Sequence, residues 1–424
     1  MAVVGGGWAG IAAAVHCVSR GDMVSLYEMA PQLGGRARRV DIDGLSLDNG
    51  QHILIGAYTQ TLALMRRVGV KPEQVLSRRP LALTFPDGSG LRLPAGRPVL
   101  SFLQGVLGWR ALHFHERIVM LGAAASWALA GFRCEPSTTV QQLAARLPER
   151  VRHDLIEPLC VAALNTPAAD ASASVFLRVL RDALFAGAGS SDLLLPTNTL
   201  GALLPEPALA WLREQGAKVH LGSRVLALEP EAGRWRLRPQ STEVIEFDGV
   251  VLACTASEAA RLAAEASPRW AAAASAFEYE PIVTVYLRSD GTHLREPMVA
   301  LRADDRHAPA QFVFDLGQCG GPAGVFAFVI SGARGWVGAG LEASCAAVLA
   351  QAQAAFAADT WRSGPTLIRV LAERRATFVC KPGLARPPAW IAPALVAAGD
   401  YVDGPYPATL EGAVRSGLAA CDLL

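Results

Sequence analysis

The sequence has few charged residues and almost no charge imbalance. Asp, Glu, Lys and Arg make up 18% of the 424 residues, and the formal net charge is +1. A protein that binds nucleic acid needs a basic surface against the phosphates, so this balance gives no electrostatic case for such a partner. Hydrophobic residues make up 51% of the chain, and the mean hydropathy of +0.27 is high for a freely soluble protein.

The sequence also lacks closely spaced cysteines. Its eight cysteines form no Cys-x-x-Cys pair and are scattered over the chain: Cys17, Cys134, Cys160, Cys254, Cys319, Cys345, Cys380 and Cys421. We therefore predict reduced thiols, as in a cytosolic protein, with neither a disulfide framework nor a metal site. His113 and His115 have no neighbouring ligands, so we expect them at the surface or at a helix cap.

Long hydrophobic runs are missing as well. No uncharged stretch reaches the roughly 20 residues that a membrane-spanning helix needs. The best apolar candidate is 118–132, which together with 101–109 is predicted either to dip into one leaflet or to roof a buried tunnel. The basic residues that flank these segments are Arg97, Arg110, Arg117 and Arg133. Because a glycine-rich motif begins beside Met1, we expect no signal peptide.

That motif is the most informative feature present. Gly5, Gly7 and Gly10 follow a short apolar strand and match the G-x-G-x-x-G pattern. The first glycine permits a tight turn, the second lets the backbone approach a pyrophosphate, and the third lets the helix pack close to the strand. The alternative is a glycine-rich turn that binds nothing.

The residues after the glycines fit the same interpretation. A helix starts at Trp8 and Ala9, so its positive end would face the phosphates. A second strand, 23–27, ends in Glu28, where an acid can bind the hydroxyls of a ribose. Gly35 and Arg36 follow in a second glycine loop, and Arg36 can supply charge-assisted bonds to phosphate.

With this Gly-Gly-Arg loop the sequence resembles the FAD-dependent amine oxidase, phytoene desaturase and protoporphyrinogen oxidase superfamily. The resemblance implies that the fingerprint binds FAD and that the backbone at Val225 contacts the adenine. It also implies that Gly399 and Asp400, after a buried strand, return to the cofactor, where Asp400 accepts from the ribityl chain or holds water at a phosphate. A role of Asp400 as a cap alone is the alternative. The amides near Thr409 and Leu410 would face the flavin ring.

Three further segments narrow the resemblance: 48–58, 158–167 and 399–413. They closely resemble the squalene-associated FAD-dependent desaturase family, whose members are known as hydroxysqualene dehydroxylases of bacterial hopanoid biosynthesis. The resemblance covers nearly the whole chain. It implies that an allylic hydroxyl is replaced by hydrogen, with hydride from reduced flavin, to form squalene.

The predicted fold class is α/β. A Rossmann-like FAD-binding domain would consist of 1–60, 200–270 and 386–424, and a discontinuous α+β substrate domain of 61–199 and 271–385. Between 61 and 200 we predict a strand-rich interruption over 81–93, with a turn at 86–88, and the helices 61–68, 101–109, 116–130, 140–147 and 171–184. A further helix is predicted from Leu200 towards Gly216.

The segment 48–52 supplies the catalytic candidates. His52 is the first candidate for the proton donor, although it can equally hold the backbone or the flavin. Asp48 would orient this histidine or bind the cofactor. The residues between them are predicted cofactor contacts: Asn49, Gly50 and Gln51. Further candidates for the substrate pocket are Asn165, Asp182, Tyr58 and Tyr406. The alternative for the two tyrosines is packing in the core.

The expected partners follow from the resemblance. A C30 isoprenoid substrate implies peripheral contact with the inner face of the cell membrane, a cytoplasmic location and exchange of intermediates with other squalene-pathway enzymes. No second G-x-G-x-x-G motif is present, so NADPH or a separate reductase would supply electrons. Two alternatives stay open: an oxidative isoprenoid desaturase or amine oxidase, and a non-catalytic FAD-bound scaffold.

Overall fold

Helices and strands are interspersed along the whole chain. The computed structural model describes residues 1–240, 243–304, 306–357 and 359–424. The α-helices are α1 (Trp8–Ser19), α2 (Thr59–Arg67), α3 (Pro72–Val75), α4 (Pro98–Gly108), α5 (Phe114–Leu129), α6 (Val140–Leu143), α7 (Glu149–Val151), α8 (Glu157–Leu164), α9 (Ala173–Phe185), α10 (Leu200–Leu203), α11 (Pro205–Glu214), α12 (Ala256–Ala263), α13 (Pro268–Ser275), α14 (Arg334–Ala339), α15 (Leu341–Ala355) and α16 (Leu410–Cys421).

The strands fall into several separate sheets. They are β1 (Ala2–Val4), β2 (Ser25–Glu28), β3 (Arg39–Ile42), β4 (Leu45–Asp48), β5 (Leu54–Ile55), β6 (Leu76–Arg79), β7 (Ala82–Thr84), β8 (Gly90–Arg92), β9 (Leu193–Pro196), β10 (Lys218–Leu221), β11 (Val225–Glu231), β12 (Arg234–Pro239), β13 (Ile245–Phe247), β14 (Val250–Leu252), β15 (Tyr279–Arg288), β16 (Met298–Ala300), β17 (Phe312–Asp315), β18 (Val325–Ile330), β19 (Thr366–Phe378), β20 (Trp390–Ala392) and β21 (Leu395–Ala397).

A six-stranded sheet carries the glycine-rich motif. Its strand order is β10-β2-β1-β14-β21-β20, and all neighbours are parallel except β20 and β21. Its central strands are buried apolar runs, because helices cover a parallel sheet of this kind on both faces. Val3, Leu26, Val251 and Val396 are all at most 1% exposed. The predicted α/β class, with a Rossmann-like parallel sheet around the glycine-rich motif, is confirmed.

A five-stranded antiparallel sheet, β16-β17-β18-β15-β19, is the second large element. It packs with α14 and α15 and supplies the α+β part of the fold. The smaller sheets have the strand orders β11-β12-β13, β5-β9-β6, β3-β4 and β7-β8. Three of the predicted helices lie within a few residues of α2, α4 and α5, and 171–184 corresponds to α9.

Two helix predictions need correction. The helix predicted over 140–147 ends at Leu143, where the C-cap residue Ala144 leaves helical geometry with φ −89° and ψ 0°. The helix predicted from Leu200 is two helices, since Pro205 starts α11 and Leu204 leaves the helical region with φ −148°. The predicted 81–93 interruption is confirmed as a hairpin of β7 and β8.

The prediction that all cysteines are reduced is wrong for one pair. Cys17 on α1 and Cys421 on α16 form a disulfide, with their Cα atoms 6.0 Å apart. Small residues bring these helices together: a Cβ on Gly417 would lie 2.1 Å from the Ala9 carbonyl oxygen. The spacing of the two cysteines, 404 residues, carries no local signal. Among the described residues, no helix is both long and apolar enough to cross a membrane.

Candidate functional site

The turn from β1 into α1 brings three backbone segments together. Gly5 has a φ of +107°, and a Cβ there would lie 2.6 Å from the Ala253 carbonyl oxygen. A Cβ on Gly10 would lie 1.8 Å from the Gly5 carbonyl oxygen. Gly7 differs, because the nearest atom to its Cβ position is the Gly35 Cα at 4.0 Å. The space above Gly7 therefore remains open for a ligand, as the fingerprint predicts.

The first turn of α1 faces this space without a side-chain cap. Gly7 is the N-cap and has no side chain to accept from them, and the first turn contains no acidic residue. Trp8 and Ala9 lie in this first turn, and the Trp8 indole nitrogen donates to the Ala37 carbonyl 3.1 Å away. An uncapped helix start with open space before it fits an anion such as a pyrophosphate.

Glu28 lies at the end of β2 and is 8% exposed. Its carboxylate accepts from the Gly6 amide at 2.6 Å and from the Ala30 amide at 2.7 Å. The Ser223 amide donates to the Glu28 carbonyl at 2.8 Å, which places the beginning of β11, at Val225, on the same side. The Val225 carbonyl itself accepts from Arg261 at 2.9 Å. A carboxylate held in this way fits the hydroxyl pair of a ribose.

The second glycine loop packs directly on the first. The Gly34 amide donates to the Gly6 carbonyl at 2.8 Å, and a Cβ on Gly35 would lie 3.1 Å from the Gly7 Cα. Asn49 secures this loop, since its side chain donates to the Arg36 carbonyl and accepts from the Arg38 amide. Asn49 therefore shapes the loop through its amide group.

Arg36 and Asp400 meet at the junction of the two chain ends. The Arg36 guanidinium lies 2.6 Å from the Asp400 carboxylate and also donates to the Ala376 carbonyl at 2.8 Å. Asp400 lies three residues after the end of β21 and is 7% exposed. Beside this pair lies the hydroxyl of Tyr401, which is buried and has no hydrogen-bond partner among the described residues. An orphaned hydroxyl here fits a site that a polar ligand completes.

The last helix begins at the same place. Thr409 is the N-cap of α16, and its hydroxyl accepts from the Gly412 amide at 2.9 Å. Leu410 is the first helical residue, so its amide belongs to the free first turn. The Gly399 amide donates to Ser416 at 3.0 Å, and the Tyr401 ring leaves no room for a Cβ at Gly399. The Ala408 amide donates to the Asp400 carbonyl at 3.2 Å, so the start of α16 lies next to the residue that pairs with Arg36.

Asp48 and His52 do not hydrogen-bond to each other. The Asp48 carboxylate accepts from the Leu200 amide at 2.9 Å, and its carbonyl accepts from the Tyr286 hydroxyl at 2.8 Å. Gln51 donates to the same hydroxyl at 3.3 Å. Burial raises the pKa of Asp48 to about 7. This carboxyl therefore keeps a proton far closer to neutral pH than an ordinary aspartate does.

His52 is oriented by Gly50 instead. Its Nδ1 lies 3.1 Å from the Gly50 carbonyl oxygen, which can only accept, so Nδ1 carries the proton and Nε2 is an acceptor. Burial lowers the pKa of His52, and the charge of Arg36 lowers it further. The histidine is therefore neutral at physiological pH, which weighs against its predicted role as the proton donor.

Thr284 is a residue that the sequence did not indicate. It lies on β15, is 1% exposed, and its hydroxyl has no hydrogen-bond partner among the described residues. A Cβ on Gly50 would lie 3.9 Å from both the Thr284 hydroxyl oxygen and the His52 Cε1. One threonine in an apolar strand carries no local signal, so only the packing of β15 against Gly50 reveals it.

The other pocket candidates lie in two further clusters. The Asn165 side chain donates to Glu280 and Thr377 and accepts from Gly332, so it joins strands rather than facing open space. Tyr58 and Tyr406 meet edge to face, with ring centroids 6.5 Å apart. Asp182 lies beside Tyr406 and pairs with Arg178 and Arg181, while His113 is the N-cap of α5.

Comparison with known proteins decides the family. Residues 8–424 match the model of the family described as flavin containing amine oxidoreductase. The chain belongs to this flavin-containing amine oxidoreductase family. It is therefore a flavin-dependent oxidoreductase, and its cofactor is FAD. The residues that would hold FAD are those of the two glycine loops, Glu28 and the Arg36–Asp400 pair.

Individual relatives agree with this family. The chain is 29% identical to a hydroxysqualene dehydroxylase of Rhodopseudomonas palustris, over 100% of this chain and 97% of the relative. It is 25% identical to a hydroxysqualene dehydroxylase of Zymomonas mobilis, over 99% and 98%. An oxidoreductase structure from Methanosarcina mazei matches with a TM-score of 0.75 and 14% identity over 99% of both chains, which shows the shared fold.

Proposed function

We propose that this flavoenzyme reduces hydroxysqualene to squalene, replacing the allylic hydroxyl by hydrogen. The observation that carries the proposal is the match to relatives named hydroxysqualene dehydroxylase over nearly the whole length of both proteins. In the overall reaction a hydride and a proton are consumed, the C–O bond breaks, a C–H bond forms, and water leaves. When bound, FAD in its reduced form supplies the hydride. NADPH or a separate reductase then reduces the oxidised flavin again.

The chain's own task is to position the hydroxyl and to deliver a proton to it. The Thr284 hydroxyl and the His52 ring both lie near Gly50, and each carries a polar atom suited to a substrate hydroxyl. Neutral His52 accepts at Nε2, which suits orientation of the hydroxyl. We assign the proton to Asp48, whose carbonyl is held by Tyr286 on the same strand as Thr284, and whose carboxyl pKa is raised by burial to about 7.

The neighbourhood of the Arg36–Asp400 pair supports an apolar substrate. Phe277, Phe378 and Tyr401 pack there. The ring centroid of Phe277 lies 5.0 Å from that of Phe378 and 6.1 Å from that of Tyr401. Aromatic faces stabilise a developing allylic cation by about 0.5–2 kcal/mol each while excluding water. Such a surrounding favours ionisation of the C–O bond once the hydroxyl is protonated.

An anaerobic half-reaction tests the proposal. The purified yellow protein is reduced with dithionite, hydroxysqualene is added in detergent, and flavin absorbance is followed together with squalene by mass spectrometry. We expect one squalene formed for each flavin reoxidised. A flavin that stays reduced while no squalene appears would reject the reaction. Oxidised flavin that is bleached by an isoprenoid would indicate an oxidative desaturase, and no redox change with any isoprenoid would indicate a scaffold.

A further inference from the structure

The helical hairpin α4–α5 exposes an unusual amount of apolar surface. Leu100 is 54% exposed, Phe114 72% and Ile118 50%. Five more exposed apolar side chains belong to the same two helices: Val99, Leu103, Leu107, Val119 and Leu129. A contiguous surface of this kind marks a site of interaction on a folded protein, since single exposed hydrophobic residues are normally scattered.

The outer face of α5 has no protein partner in the described part of the chain. Of its 16 residues only Met120 is buried. Its inner side packs against α4 and the core through residues such as Leu121 and Trp127. Arg117 holds the hairpin together, because its guanidinium donates to the carbonyls of Leu107 and Leu112. The hairpin is therefore a fixed element with one face on the core and one face free.

The charged side chains that flank this face along residues 97–133 are mainly basic. Arg97, Arg110 and Arg133 are exposed at its rim, and none has a carboxylate partner among the described residues. The one acidic residue between Arg97 and Arg133 is Glu116, whose carboxylate accepts from the His113 amide at 2.7 Å. An apolar centre with a cationic rim is complementary to a layer of acyl chains under anionic headgroups.

We propose that the α4–α5 hairpin docks the enzyme on an anionic lipid bilayer. Both helices lie in the plane of the interface, with Leu100, Phe114 and Ile118 among the acyl chains and the arginines at the headgroups. Pairing of this face with a second copy of the chain is disfavoured, because a two-fold contact would bring two cationic rims together.

The docked hairpin lies next to elements of the candidate site. α4 packs against α9, and α9 carries Asp182, which hydrogen-bonds with Tyr406 just before the N-cap of α16. Entry of an apolar substrate from the bilayer by this side rests on the proposed function. Docking itself does not, because it is measured without any substrate.

Vesicle flotation tests the docking with the full-length FAD-loaded protein. Phosphatidylcholine vesicles are compared with vesicles that also contain phosphatidylglycerol. Replacing Leu100, Phe114 and Ile118 together by Gln should lower the partition coefficient on the order of a hundredfold on both kinds of vesicle. Replacing Arg97, Arg110 and Arg133 by Gln should lower it about fivefold for each arginine, on the anionic vesicles alone.

The matched control replaces exposed apolar residues elsewhere. Leu226 on β11 and Leu367 on β19 are 44% and 45% exposed, and their Gln variants should float like the parent protein. Flavin absorbance verifies that every variant is folded. Equal flotation of the apolar hairpin variant and the control would overturn the proposal. So would a parent protein that ignores vesicles but changes from dimer to monomer in light scattering when the hairpin is altered.

Discussion

The guanidinium of Arg36 and the carboxylate of Asp400 are 2.6 Å apart, although 364 residues separate them in the chain. The sequence suggested two independent cofactor contacts, one to phosphate and one to the ribityl chain. Their pairing adds a structural role, because it ties the Gly-Gly-Arg loop to the C-terminal strand. Whether each also contacts FAD as foreseen stays a prediction.

Breaking this pair should weaken both the fold and FAD binding. Asp400 is 7% exposed, so Arg36→Ala would leave a buried carboxylate unpaired. A fully buried pair costs 3–5 kcal/mol to break, and we expect about 2–3 kcal/mol here because the Arg36 side chain is 33% exposed. Thermal unfolding and the ratio of flavin to protein absorbance after gel filtration measure the two effects. Arg66→Ala, which breaks the exposed Arg66–Glu73 pair, is the control and should change little.

Gly7 and Gly10 should respond differently to the same substitution. A Cβ on Gly10 would overlap the Gly5 carbonyl oxygen at 1.8 Å, so Gly10→Ala should destabilise the apoprotein strongly. Gly7→Ala meets nothing closer than 4.0 Å, so the fold should persist while FAD affinity falls. Apoprotein melting and FAD titration separate the two outcomes. Gly122→Ala on α5, where no atom lies within 4 Å, is the control. Normal FAD affinity in Gly7→Ala would contradict the assignment of the pyrophosphate to this position.

Thr284→Val should reduce turnover without loss of stability. The Thr284 hydroxyl is buried and unpartnered in the described structure, so replacing it by a methyl group removes a desolvation cost. We expect the apoprotein to be as stable or about 1 kcal/mol more stable, while single-turnover reoxidation of the reduced flavin by substrate slows. A clear loss of stability would mean that the hydroxyl has a structural partner instead.

The pH dependence should identify the proton donor. A general acid works in its protonated form, so with Asp48 as donor the rate falls as the pH rises through about 7. With His52 as donor the rate would already fall at a pH below the ordinary titration range of histidine, because burial lowers the pKa of His52. Single-turnover rates across the pH range distinguish the two. Asp48→Asn keeps an oxygen for the Leu200 amide and should abolish the pH-dependent limb, whereas an unchanged profile would exclude Asp48.

Glu411 should prove important for stability. Its carboxylate is 0% exposed and accepts from the Thr61 amide at 2.9 Å and from the Thr61 hydroxyl at 2.7 Å, so it links α16 to the start of α2. Arg415 also donates to it, at 2.7 Å. Glu411→Ala should lower the free energy of unfolding by about 3–5 kcal/mol. Glu411→Gln keeps one acceptor oxygen and should destabilise the protein less. Denaturant unfolding of these two variants and of Thr61→Val measures how much each hydrogen bond to Glu411 contributes.

Much of the cofactor site was predictable because its residues are close together in the sequence. The turn at Gly5, the close approach at Gly10 and the acid at Glu28 lie within one strand–helix–strand unit, where residue type and spacing dictate geometry. Helices α2, α4 and α5 were found for the same reason, since their apolar periodicity is local. Their starts lie two or three residues before the predicted ones and their ends one residue before, and the helix predicted over 140–147 ends at Leu143.

The sequence by itself determined the class of this protein: a dinucleotide fold, a flavin cofactor and an apolar helical hairpin. Only the tertiary structure decided which distant groups meet. It paired Arg36 with Asp400 and joined Cys17 to Cys421. It also set the His52 ring against the Gly50 carbonyl, with no hydrogen bond to Asp48, and placed Thr284 near Gly50. Such contacts depend on how sheets and helices pack, and a hydrogen bond between residues hundreds of positions apart leaves no periodicity or spacing in the chain.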